Sequence, residues 1–331
     1  MENKYKSAIK VALSLCFGGA ILYWMYRNFD FQDLGGFMLH NMNWNWMYLS
    51  CFFGILAQAF RAWRWRQALE PVGEKSRTSV RVNSIFFSYA ISLIIPRIGE
   101  FARCGILSKY DKVSFAKAIG TVVTERLVDS IVILIIAGTA FLLQIKVFGT
   151  FFDTTGTSID GITHHFSVTG WIVTAICAAA AVALIIFIVK RMAIQGKFKD
   201  TTKSVLEGIT SLKDVKNLPL FIFFTIGIWA SYFIQYYLTF FCFDFTKDLG
   251  IMCALSSFII GSIAVLVPTP NGAGPWHFAT KTMLVLYGVS DSNALYFVLI
   301  VHAVHTLLMI LLGIYSLVAL SLTKFVKVEN S

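Results

Sequence analysis

Apolar residues run along this chain in blocks of membrane-span length, and two of the blocks are cut short. Uninterrupted runs cover Ala8–Tyr26, Trp44–Trp63, Ser114–Ile145, Trp171–Val189, Leu218–Phe243 and Ala294–Leu322, and each predicts a spanning helix. The stretch starting at Val82 differs. Its apolar run meets Pro96 after about 14 residues, or about 20 Å of helix, against about 30 Å of hydrocarbon. Arg97, Gly99, Glu100 and Arg103 follow where more apolar residues would be expected. The run Ile251–Val267 likewise ends at Pro268, in the sequence Pro-Thr-Pro-Asn-Gly-Ala-Gly-Pro-Trp-His, before apolar character resumes to Tyr287.

Basic residues orient these blocks. Arg61, Arg64, Arg66, Lys75, Arg77 and Arg81 read as a cytoplasmic cluster under the positive-inside rule. Lys109, Lys112 and Lys117 form another, so 82–107 starts and ends on the same side and predicts a re-entrant hairpin. Acidic Asp244, Asp248 and Asp291 flank 251–287, which predicts a second hairpin entering from the outside. The expected fold class is an all-α polytopic membrane protein: about six spanning helices plus two re-entrant hairpins in an inverted repeat, N-in and C-in. One integral membrane domain would fill 1–331, with repeats at 44–145 and 218–322. A rival parse makes 251–267 and 276–287 full spans, although the second is short for that. Phe148–His165 reads as an external loop, and Gln195–Asn217 as a cytoplasmic linker with surface-helix character.

Composition agrees with the pattern. The 331 residues are 57% hydrophobic and only 14% charged, where a soluble chain carries about 25% charge. The net charge of +10 then points to orientation signals and anionic lipid at the cytoplasmic face, with no nucleic-acid partner. Six scattered cysteines without a Cys-x-x-Cys pair read as small apolar residues. The first helix is expected to stay uncleaved, because Leu15 is too bulky for the position before a lipoprotein-type Cys16.

Ionisable residues inside such blocks are costly and mark function or a structural knot. Arg97, Glu100 and Arg103 at the first break read either as a phosphate site, through guanidinium forks, or as a self-neutralised knot. Glu125, Arg126 and Asp129 share a helix, with Glu125 and Asp129 on one face; interfacial placement is the alternative. At the second break, Asn271, Gly272 and Gly274 leave backbone N–H groups near a helix start, an arrangement suited to anions. His277, His302 and His305 read as hydrogen-bonding or proton-relay groups, as packed neutral rings, or less readily as a metal site. No nucleotide-binding, hydrolase or zinc-protease motif is present, so neither enzyme chemistry nor a cofactor is expected.

Pro-Arg-Ile-Gly-Glu-Phe-Ala-Arg (96–103), Thr-Glu-Arg-Leu-Val-Asp (124–129) and Val-Pro-Thr-Pro-Asn-Gly-Ala-Gly (267–274) together resemble the lysylphosphatidylglycerol synthase transmembrane-region family, or flippase-like domain proteins. The resemblance implies translocation of a phospholipid or lipid-linked precursor across a bacterial cytoplasmic membrane. With the chain ending soon after the last helix, the larger relatives' synthase domain is expected to be absent. Pro96, Gly99, Glu100, Arg103, Glu125, Arg126 and Asp129 match the family pattern. Asn271 stands where the family often has Gly, and Pro275-Trp276-His277 where it often has an acid. Two other classes stay open: an integral membrane enzyme acting on lipid phosphate, and a small-solute or ion transporter with paired re-entrant segments, as in DedA-type proteins.

Overall fold

The computed structural model describes residues 16, 18–27, 34–95, 97–155, 214–267 and 269–325. The expected span 171–189, most of the linker 195–217, Cys177, Pro96 and Pro268 lie outside the described residues. Among the described residues the regular structure is all helical. Residues 18–26 form α1, followed by the short α2 (Leu34–His40) and the long α3 (Trp44–Leu69). Then come α4 (Thr78–Ser92), α5 (Gly99–Asp111), α6 (Phe115–Leu143) and α7 (Ile145–Thr154). The second half holds α8 (Leu218–Leu238), α9 (Gly250–Ala264), α10 (Pro275–Leu286) and α11 (Asp291–Ser321).

Local chemistry sets the helix ends. Asn43, Ser114, Asn217 and Ser290 each cap a helix by accepting a backbone N–H through the side chain. Pro219 and Pro275 sit in first turns, where their missing N–H costs nothing. The α6 surface is divided lengthwise. Leu127, Ile131, Leu134 and Ile135 are exposed on one side, while Thr121, Glu125 and Asp129 are buried on the other. A soluble protein does not expose so continuous an apolar stripe, whereas a lipid-facing helix does. Among the described residues, three helical stretches, Phe115–Leu143, Leu218–Cys242 and Asp291–Ser321, are long and apolar enough to cross a membrane.

Each broken block is a helical hairpin. In the first, α4 packs along α5, and Arg77 at the start of α4 bonds Asp111 at the end of α5 through both its backbone N–H (2.8 Å) and its Nε (2.6 Å). At the tip, a Cβ on Gly99 would collide with the carbonyl of Ser88 and the hydroxyl of Ser92, so glycine lets the arms touch. In the second, α9 packs along α10, and the Ser256 and Tyr287 hydroxyls meet at 3.2 Å. The first arm of each hairpin leans on a long helix of the other half: α4 on α11, and α9 on α6. The most extensive packing joins α3 to α8.

Three expectations need correction. The second block does not stop at Trp63 but continues as helix to Leu69, carrying Arg61 and Arg64 into the interior. The first hairpin is longer than 82–107, beginning at Thr78 and ending at Asp111. The expected loop at 148–165 begins inside α7, whose Phe148 and Phe151 are buried against α9 and α10 residues such as Ile259 and Met283. Its apolar residues outweigh the Thr and Gly between them.

Candidate functional site

The α3 sequence brings Gln58, Arg61, Arg64 and Trp65 to its buried face, at spacings of three and four residues. Opposite them, α6 presents Thr121, Glu125 and Asp129, and α5 presents Glu100 and Arg103. These side chains close into one ion network. Asp129 receives Arg64 at 2.7 Å, Arg61 at 2.9 Å and Arg126 at 3.0 Å. Glu125 receives Arg103 at 2.7 Å and Arg64 at 3.7 Å. Glu100 receives Arg103 at 2.8 Å and Arg126 at 3.5 Å. Four arginines against three carboxylates leave one net positive charge. A charge in so dry a place persists only when it is paired and bonded.

Aromatic groups complete the enclosure. The Arg103 guanidinium lies 4.4 Å from the Trp65 ring centroid, and Trp65 Nε1 donates to Thr121 Oγ1 at 3.0 Å. The ring therefore covers the cation while its N–H anchors to α6. Gln58 donates to the Tyr232 hydroxyl of α8, which meets the Tyr89 hydroxyl of α4 at 3.1 Å in each case. Arg64, Arg103 and Glu125 are essentially inaccessible. The Arg126 side chain, 41% exposed, and the Glu100 side chain, 33% exposed, form the open edge.

A second polar group sits at the tip of α9–α10. Asn271 adopts the left-handed conformation (φ 52°), and Gly272 and Gly274 continue the turn at φ 70° and 90°. Asn271 Nδ2 donates to Thr306 Oγ1 at 2.8 Å, and the Asn271 carbonyl lies 3.1 Å from His302 Nε2 on α11. The His277 and His302 ring centroids are 4.4 Å apart. The two hairpins meet here: Arg97, itself left-handed at φ 66°, donates from Nη2 to the Leu266 carbonyl at 3.1 Å.

Five sequence-predicted residues, Glu100, Arg103, Glu125, Arg126 and Asp129, thus share one network. Arg97 stands beside it as the bridge to the other tip, and Asn271, His277 and His302 gather at that second tip. Two expectations do not hold. The Gly272 and Gly274 N–H groups are not available to an anion, because Gly272 bonds Thr269 and Gly274 bonds His277 Nδ1. The three histidines do not converge, because His305 turns away to Ser50 Oγ at 3.2 Å. Arg61, Arg64, Trp65 and Thr306 were not singled out from sequence. The available signal was Arg61 and Arg64 three residues apart, continuing the face marked by Gln58.

The three motifs behind this geometry lie within a family model, lysylphosphatidylglycerol synthase TM region, that matches residues 7–313. The chain belongs to that family. No curated protein and no solved structure matches it. Family membership and the apolar helices identify an integral membrane protein, and the family suggests a role in lipid modification or translocation. For this family member, the motif acids and arginines account for most of the buried ion network, with α3 supplying Arg61 and Arg64.

Proposed function

We propose that this chain is a flippase or translocase that carries the phosphate head group of a phospholipid, or of a lipid-linked precursor, across a bacterial cytoplasmic membrane. The observation that carries the reading is the contact between the hairpin tips, Arg97 to the Leu266 carbonyl. It joins the tip that leads into the ion network of one half to the hairpin that carries Asn271 and His277 in the other, and so supports a shared site. The hairpins enter as re-entrant segments from opposite faces, and the halves form an inverted repeat with both termini inside. The reciprocal packing of α4 on α11 and α9 on α6 supports that symmetry. Arg126 and Arg97, the arginines of the site with the most solvent access, receive the phosphate. The buried arginines and carboxylates beneath hold the frame. Rocking one half against the other moves the site between leaflets.

The test is leaflet exchange of a fluorescent phospholipid in proteoliposomes, with head-group analysis before and after. Protein-dependent exchange with intact head groups is the expected result. Altered head groups without exchange would point to an enzyme. Neither change would point to a small-solute carrier.

A further inference from the structure

We infer that a proton on His302 reverses a hydrogen-bond chain at the second tip, turns the Asn271 carboxamide, and so couples proton binding to anion binding. The inference rests on the translocase reading only for the identity of the anion.

The hydrogen-bond directions fix the resting state. His302 Nε2 faces the Asn271 carbonyl at 3.1 Å, and a carbonyl only accepts, so Nε2 carries the ring proton. Nδ1 is then bare and lies 3.4 Å from Thr306 Oγ1. That hydroxyl accepts from Asn271 Nδ2 at 2.8 Å, leaving its own proton free for Nδ1. The chain runs from amide to hydroxyl to imidazole, and its last direction, hydroxyl to Nδ1, requires a neutral ring.

A second proton can enter His302 only at Nδ1. Nδ1–H must then donate to Thr306 Oγ1, which already accepts from the amide. A hydroxyl can accept twice, but the amide N–H edge would also stand 3.5 Å from Nε2 of a ring that is now a full cation. A half turn of the carboxamide removes both conflicts. Oδ1 takes the place of Nδ2, accepts from the Thr306 hydroxyl and faces the imidazolium. Asn271 is exposed, and no described residue bonds its Oδ1. The group offered outward therefore changes from an acceptor that repels anions to an N–H donor pair backed by a positive ring. The step takes up one proton and breaks no covalent bond.

The neighbours leave this assignment intact. On α10, His277 faces His302 but holds Gly274 N–H on its Nδ1, and Lys281 is paired with Asp291 of α11. On α11 itself, His305 bonds Ser50 of α3. On α4, Tyr89 bonds Tyr232, and Arg81 is held by Ser76, Thr78 and Ala62. From α1, Tyr26 reaches the His277 ring edge.

Solid-state nitrogen NMR of histidine- and asparagine-labelled protein in nanodiscs tests the chain without any substrate. Loss of a signal in His302→Gln assigns His302 among the six histidines. As the pH is lowered from about 8 it should pass from a proton on Nε2 alone to protons on both nitrogens. The Asn271 amide signal should shift in the same step, and Thr306→Val should abolish that shift. A second arm measures calorimetric binding of dihexanoyl phosphatidylglycerol, whose phosphodiester charge is constant over this range. Binding should be about fivefold or more tighter at the lower pH, with proton uptake, and the ratio should fall to about one in Thr306→Val and His302→Gln. A neutral ring protonated at Nδ1, or an Asn271 signal indifferent to His302, overturns the inference and leaves the translocase reading standing. So does lipid binding whose pH ratio is unchanged in both variants. An amide that turns while no lipid binds at either pH supports the switch and counts against the translocase.

Discussion

Arg64 of α3, with no solvent access, lies 2.7 Å from Asp129 of α6, and the same carboxylate also holds Arg61 and Arg126. One acid thus gathers three arginines. Removing it takes the carboxylate from buried Arg61 and leaves Arg64 only the longer contact to Glu125, a loss of about 3–5 kcal/mol where a pair is fully enclosed. Asp129→Asn should therefore unfold at markedly lower denaturant or temperature. Arg64→Met combined with Asp129→Leu should recover part of that loss, because both members of the pair are then gone. Unfolding monitored by size-exclusion after heating checks both. A double variant as unstable as the single one would remove this pair from the frame.

Gly99 and Gly105 both lie on α5, yet alanine should act oppositely at the two. At Gly99 the new methyl meets the Ser88 backbone and Ser92 Oγ, and the backbone cannot yield as a flexible side chain would. Prying the arms apart should cost about 1–3 kcal/mol or more. At Gly105 nothing lies within 4 Å, so Gly105→Ala should stabilise the helix by about 0.5–1 kcal/mol. Melting temperatures of the two variants in one detergent make the comparison.

Trp65 serves Arg103 with its ring face and Thr121 with its N–H. Trp65→Phe keeps a face and loses the hydrogen bond, a cost of about 0.5–1.5 kcal/mol, because the Thr121 hydroxyl still donates to the Ala118 carbonyl. Trp65→Ala should cost about 3–5 kcal/mol, since a cavity opens beneath the guanidinium. Arg103→Lys should also destabilise the protein despite its conserved charge. Arg103 meets Glu100 and Glu125 through one Nη2 atom while its plane lies over the indole, and an ammonium cannot reproduce that stacked geometry. Thermal unfolding of the three variants should rank Trp65→Ala as the least stable.

The break in each paired-helix block was legible because a proline and charged or glycine-rich residues interrupt an apolar run. The sequence also marked Glu100, Arg103, Glu125 and Asp129, since acids and bases inside apolar blocks stand out. Arg61 and Arg64 were hidden by the rule that reads arginines at a helix end as cytoplasmic. Their burial depends on Asp129 and Glu125, more than 60 positions away, and no local pattern carries that pairing. The tip N–H groups misled for a similar reason. Pro and Gly spacing shows that a turn must form, but whether its donors face outward depends on closures such as Gly274 to His277.

Arg97 combines exposure, a left-handed backbone and one bond across the tips. Its side chain is not part of the core, so Arg97→Ala should leave thermal stability nearly unchanged, within about 0.5 kcal/mol. If the proposed translocase reading holds, lipid exchange should fall sharply, because the variant loses the proposed phosphate donor and the link between halves together. Arg97→Gly removes the same side chain while relieving the backbone, so it should fold at least as well and exchange lipid no faster. A second measurement separates the two roles. Cysteines at positions 97 and 266, joined by a short bismaleimide, should hold the tips together and stop the residual exchange that the unjoined double variant shares with Arg97→Ala. Exchange that continued in the cross-linked protein at the rate of the unjoined variant would mean that the tips need not part during exchange, and that the contact is only structural.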